Sequence, residues 1–159
     1  MNRKLFKCAA AVVVLTLGAV ESGYAQDGPL ACNDKLVNGL YGFTLQGTKL
    51  AGPAPIGPQV GVAMTNFDGV GTLEQIDTVT INGEESSNFT HTTAKGTYSV
   101  SSNCTGTFTI DFTDGRPTVV TNFVVVDDGR EIDTVVVSVA GKQGILALGS
   151  IGKKVFPRP

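Results

Sequence analysis

Residues 107–129 read TFTIDFTDGRPTVVTNFVVVDDG, and this stretch decides the fold. Phe108, Ile110 and Phe112 alternate with Thr107, Thr109 and Asp111, the period of two that places one side-chain type on each face of a β-strand. Asp114-Gly115-Arg116-Pro117 supplies turn residues, Thr118 to Val126 is rich in β-branched side chains, and Asp127-Asp128-Gly129 supplies a second turn. Strand and turn follow one another too closely for a helix to intervene.

The same grammar extends in both directions. Upstream, Tyr41, Phe43 and Leu45 alternate with Gly42 and Thr44, and Val60, Val62 and Met64 alternate with Gly61, Ala63 and Thr65. Each set reads as a strand with one apolar face. Asp68-Gly69-Val70-Gly71 turns into a third strand, Thr72 to Ile81. It ends at Asn82-Gly83, a type I′ hairpin signal because both central residues need positive φ. A fourth strand covers Asn88 to Val100, with a bulge expected at Gly96. Downstream, Glu131 to Val139 and Ile145 to Ile151 complete a set of eight.

Eight strands joined by short turns predict an all-β fold, an eight-stranded antiparallel up-and-down barrel, with a β-sandwich as the alternative. Closure leaves no free edge. That protects runs such as Val124-Val125-Val126 and Val135-Val136-Val137, which read as strands buried on both faces. Such a barrel is filled by side chains or holds one small ligand. The stretch Lys49 to Pro58 is neither strand nor tight turn, and its three prolines stiffen it as a surface crossing or a lid over one barrel end.

Residues 1–25 read as a signal peptide, leaving residues 26–159 as a single domain. Arg3, Lys4 and Lys7 precede an apolar stretch from Cys8 to Val20, and Gly23-Tyr24-Ala25 precedes the cut. The apolar stretch falls short of the ~20 residues of a membrane-spanning helix. The destination is therefore secretion or the periplasm. Of 12 basic and 14 acidic residues, the leader removes three and one, so the mature chain carries nine against thirteen. No basic footprint for nucleic acid or anionic lipid remains. Eight Phe and three Tyr are too few, among so many Thr and Asp, for the aromatic girdles of an outer-membrane barrel. Of three cysteines, Cys32 and Cys104 survive cleavage in a compartment where disulfides persist, and they are expected to pair. The bridge closes a loop of about 70 residues, valued at roughly 4 kcal/mol by chain entropy.

The order Gly39-Leu40-Tyr41-Gly42-Phe43, Phe67-Asp68-Gly69-Val70-Gly71, Asp77-Thr78-Val79-Thr80-Ile81-Asn82-Gly83, Gly96-Thr97-Tyr98-Ser99-Val100 and Cys104-Thr105-Gly106-Thr107 resembles a group of small secreted bacterial proteins with an allene oxide cyclase barrel-like domain. The resemblance spans Cys32 to Ile151. It implies a barrel shaped like those of allene oxide cyclases and dirigent proteins, which confine reactive small molecules. No catalytic residue of those enzymes is matched here.

Chemistry-bearing residues are few. Glu74, Asp77 and Asp133 are acids inside strands, and a carboxylate facing the interior would have its pKa raised and serve as acid or base. Glu131 and Asp133 share a face with Val135 and Val137. His91, the one histidine, is a base candidate only with a group orienting its second nitrogen. Asn122 is a candidate for holding a water in a cavity. Asp114-Gly115 and Asp127-Asp128-Gly129 are turns and lack the spaced ligands of a calcium loop, so no metal or other cofactor is expected. The reading is an exported barrel that binds a small apolar or amphipathic ligand. A cyclase or dirigent-like enzyme acting on a reactive lipid or phenolic intermediate, and a structural envelope or partner-binding protein, are the alternatives. Valine-bearing outer faces also suggest a homo-oligomer.

Overall fold

The computed structural model describes residues 31–87 and 93–156. The expected leader, His91 and the first residues of the expected fourth strand lie outside the described residues. Among the described residues there are nine strands: β1 (Gly39–Lys49), β2 (Gly57–Phe67), β3 (Thr72–Ile81), β4 (Glu84–Ser87), β5 (Thr93–Val100), β6 (Thr105–Phe112), β7 (Val119–Val126), β8 (Glu131–Val139) and β9 (Leu146–Lys154). All pairings are antiparallel, and β1-β2-β3-β5-β6-β7-β8-β9 closes on itself through β9–β1. The fold is an eight-stranded barrel with one extra strand, not a sandwich.

The extra strand corrects the expected fourth one. β3 gives its first half, Thr72 to Ile76, to β5, and its last residues, Val79 to Ile81, to β4. The hairpin turn at Asn82-Gly83 carries positive φ at both residues, as a type I′ turn requires. No bulge occurs at Gly96, whose register with Leu73 and Ile110 is continuous. Glycine is needed there for space instead: a Cβ would lie 2.0 Å from the Thr109 carbonyl oxygen. The bulges fall elsewhere. Thr121 pairs with Val136 but Val120 pairs with Ser138, so Val137 is the additional residue.

Two apolar patterns are corrected as well. On β2 the inward residues are Gln59, Ala63, Thr65 and Phe67, while Val60 and Val62 are exposed at 56% and 45%. The valine runs are not buried on both faces, since Val124 and Val135 are exposed while Val125 is buried. Valine suits an extended backbone whether or not its side chain leaves water.

Side-chain volume is unevenly distributed along the barrel. The strand starts of β1, β3, β6 and β8 lie at one end, which is packed shut. There Tyr41, Phe67, Leu73, Tyr98, Phe123 and Ile132 form a core with Val37. Phe67 meets Tyr41 and Tyr98 edge-on, at centroid distances of 5.5 and 5.0 Å. Rings are also seated over glycines of the neighbouring strand: Phe43 over Gly152 and Phe123 over Gly106. A Cβ at either glycine would come within 2.3 and 2.2 Å of the ring, the cross-strand device that lets large side chains curve a sheet.

A short 3₁₀ helix, Asp34–Val37, lies across this end. Asn33 caps it by accepting from the Lys35 amide at 3.0 Å, and Asp34 Oδ1 accepts from the Val100 amide at 2.7 Å. Cys32 and Cys104 stand at disulfide distance, with Cα atoms 5.0 Å apart, and tie this segment to the turn between β5 and β6. Their sequence separation of 72 gives the bridge about 4 kcal/mol of chain-entropy stabilisation. The Tyr41 hydroxyl donates to the Gly129 carbonyl, and burial foremost pushes its pKa up to about 12. The phenol therefore stays a neutral donor.

Candidate functional site

The other end of the barrel is open. A cavity of about 600 Å³ enters there, within the 300–1,000 Å³ typical of small-molecule sites. Phe43, Phe108 and Ile110 border its inner part, and Leu148, Val136 and Val139 its far wall. The bulge at Val137 shifts the parity of β8, so Val136 and Val139 both face inward although three residues apart. Ala51, Gly52 and Pro53 of the crossing between β1 and β2 border the mouth. Lys49 Nζ holds that crossing by donating to the Pro53 carbonyl at 2.6 Å.

Opposite the apolar wall runs a polar seam on β2 and β3. Thr65 Oγ1 donates to Gln75 Oε1 at 2.8 Å, and Gln75 Nε2 donates to Asp77 Oδ2 at 3.4 Å. Asp77, 2% exposed, accepts from Ser87 Oγ at 2.8 Å and takes a bidentate grip from Arg116, at 3.1 and 2.8 Å. Arg116 reaches inward from the turn between β6 and β7. Its Nε donates to Asp114 at 2.8 Å, and its guanidinium carbon lies 3.8 Å from the centre of the Phe112 ring. Stacking and bidentate pairing hold the planar group in one orientation.

The chemistry open to Asp77 follows from this count. A carboxylate has about four acceptor positions, and Ser87, Gln75 and the two Arg116 nitrogens occupy them. Asp77 has no position left for a substrate proton unless a partner lets go. Arg116 uses three of its roughly five N–H groups on the two aspartates, so donors remain for a ligand oxygen. Thr134 and Ser150, also in the wall, bond each other at 2.6 Å.

One group in the wall is unmatched. Gln59, 6% exposed, lines the cavity, and its Oε1 makes no hydrogen bond. A buried carbonyl left in that state costs about 1–3 kcal/mol.

Of the described residues singled out in the sequence, only Asp77 enters this wall. Glu74, three residues away and thus on the opposite face, is exposed and 3.5 Å from Lys95. Asn122 faces outward and accepts from Thr107 Oγ1 at 3.1 Å. Asp133 also faces outward, beside Asn122 in a shallow groove, with its Oδ1 unbonded. Glu131, on the same face, pairs with Lys153 at 3.2 Å. Among the described residues no three His, Cys, Asp or Glu side chains gather as metal ligands, and no helix is long and apolar enough to cross a membrane. Arg116 and Gln59 were not singled out. In the sequence the first reads as part of the turn Asp114-Gly115-Arg116-Pro117. The second sits on the alternation Gln59, Gly61, Ala63, Thr65, which looks like the wet face of β2.

The chain matches no family model, no curated protein and no solved structure.

Proposed function

We propose that this protein is an exported carrier or sensor barrel that takes one small amphipathic molecule into its open end. The observation that carries the reading is the half-empty interior: a mouth-facing cavity of about 600 Å³, with an apolar wall facing a hydrogen-bonded polar seam. A well-packed interior leaves few voids larger than a water molecule, so space of this size is a feature of the barrel's design. The apolar part of the ligand lies against Phe43, Phe108, Ile110 and Leu148, and its polar part meets the donors left on Arg116. The leader-like N-terminus and the Cys32–Cys104 bridge support export. The likeness of its motif order to allene oxide cyclase barrel-like proteins belongs to the same proposal.

The cyclase or dirigent-like alternative asks for a carboxylate free to move a proton. The saturated acceptor positions of Asp77 favour binding over turnover.

The test is native mass spectrometry of the mature protein purified from its own host, combined with fluorescence titration of N-phenyl-1-naphthylamine. The expected result is a stoichiometric small-molecule adduct, or saturable binding of one fluorophore per barrel. A protein that carries nothing and shows no saturable fluorescence change overturns the proposal.

A further inference from the structure

We infer that the cavity takes an amphiphile with an anionic head group, and that Lys49 and Lys142 hold this head at the mouth while the apolar tail enters the barrel. The inference rests on the cavity being a binding site and adds the charge class of what binds there.

The argument is one of charge. Among the described residues, five charged side chains border the cavity: Lys49, Asp77, Asp114, Arg116 and Lys142. The two carboxylates share one guanidinium. Asp77 accepts from two Arg116 nitrogens at 3.1 and 2.8 Å, and Asp114 accepts from the third at 2.8 Å. That cluster keeps one surplus negative charge, with both acids turned towards Arg116. The lysines have no such partner. Neither forms an ion pair with a described carboxylate, whereas Lys95 and Lys153 on the outer face pair with Glu74 and Glu131. Lys49 Nζ donates to a neutral group, the Pro53 carbonyl. The acids of β4, Glu84 and Glu85, do not border the cavity. Two uncompensated ammonium groups therefore outweigh the cluster and leave the mouth positive, on a chain with 12 basic and 14 acidic residues.

The placement of the two lysines suits a single head group. Lys49 ends β1 and pairs with Leu146, the first residue of β9. Lys142 lies in the turn that leads into β9, where its amide donates to the Val139 carbonyl and its carbonyl accepts from the Val139 amide, at 2.9 Å each. Both thus rise from neighbouring strand ends on one side of the rim, next to the apolar wall of Leu148, Val136 and Val139. A lysine lays its methylene stem on such a wall and keeps its ammonium in water. An anion bound there leaves its tail to descend along the wall towards Phe43 and Phe108. Deeper in the barrel it would meet the charge of Asp77, so the head stays at the rim. Other polar groups of the wall, Ser86 and Thr121 among them, bond a neutral head as readily as a charged one and set no preference by charge. Arg116 offers its remaining donors from within a negative cluster, so it bonds an oxygen of the ligand without fixing its charge.

The experiment displaces N-phenyl-1-naphthylamine, which is uncharged at neutral pH, with three ten-carbon chains that differ in head charge: decanoate, decan-1-ol and decylammonium, each below its micelle-forming concentration. Decanoate is expected to displace the fluorophore about tenfold more effectively than the alcohol, the scale of two exposed ion pairs together. Decylammonium is expected to be the weakest of the three. In Lys142→Gln the ratio of decanoate to decanol is expected to fall about threefold, and in the double variant Lys49→Gln with Lys142→Gln to about one. Each ratio is taken within one variant, so a change in fluorophore affinity cancels. Lys142 is exposed in its turn, which keeps the test decisive if the double variant does not fold. Lys95→Gln and Lys153→Gln remove the same charge from the outer face and are expected to leave the ratio at its wild-type value. Equal displacement by anion and alcohol, a preference for decylammonium, an unchanged ratio in Lys142→Gln, or an equal fall in the outer-face variants overturns the inference while leaving the cavity as a binding site. Failure of the wild-type protein to bind the fluorophore at all overturns both.

Discussion

Asp77 and Arg116 show how little freedom a charge has inside a barrel. The aspartate side chain is 3% exposed and the arginine 21%, so the two lose unequally when separated. Arg116→Ala strands a buried carboxylate with only Ser87 and Gln75 as donors, and it is expected to lower the unfolding free energy by about 3 kcal/mol. Asp77→Asn leaves the guanidinium a route to water and keeps polar partners, so a smaller loss of roughly 1–2 kcal/mol is expected. Denaturant unfolding of both variants and the double variant measures this. A milder effect of Arg116→Ala than of Asp77→Asn would refute the dependence of the carboxylate on the clamp. Parity in the sequence separates Glu74 from Asp77, since three residues place them on opposite faces, but it does not say which face is inside. That choice is made by Phe67, Leu73 and Tyr98, whose volume fills the interior. It is a property of many strands at once.

At the scale of elements, the strands were legible and their partners' limits were not. The alternation of β1 and β6 survives in the structure because one face of each meets a crowded core. β2 reads with the opposite face, because its inward residues border empty space where Gln59 and Ala63 suffice, while Val60 and Val62 satisfy backbone preference in water. The bulge at Val137 is likewise silent in a run of three valines. Turns are easier to read, since a particular backbone needs particular side chains. The turn from β2 to β3 illustrates this: Asp68 Oδ1 accepts from the amides of Val70 and Thr72 at 2.8 and 2.9 Å, and Oδ2 accepts from the Thr72 hydroxyl. These bonds, the Thr72 hydroxyl foremost, lower the Asp68 pKa from 3.8 to about 2. The folded form thus holds its proton more weakly than the unfolded one. The turn's contribution is complete above pH 3.8 and fades as the pH falls towards 2. The urea midpoint of the wild type is expected to decline across that window more steeply than that of Asp68→Asn, and parallel profiles would refute the assignment.

For the molecule as a whole, the decisive quantity is the placement of volume along the barrel axis. One end holds aromatic rings, the 3₁₀ helix and the disulfide. The other holds Gln59, Ala63, Gly149 and Ser150 around a void of about 600 Å³. Composition cannot reveal this asymmetry, because the same side chains distributed evenly would fill an eight-stranded barrel. A void retained for a ligand lowers the stability of the empty protein, since wall atoms forgo contacts they would otherwise make. Filling it should therefore move stability and binding in opposite directions. Ala63, 5% exposed and in the cavity wall, is the place to test this. Ala63→Leu is expected to raise the unfolding free energy by about 1 kcal/mol, the usual gain from cavity filling, and to weaken N-phenyl-1-naphthylamine binding. Thermal melts and fluorescence titration of the same preparation read both. If Leu destabilises the fold, the space beside Ala63 is already occupied by packed side chains. If it stabilises without weakening binding, the fluorophore sits elsewhere on the barrel. Only the opposed pair of changes identifies the void as the site, and it would mean that the barrel gives up part of its stability to stay open.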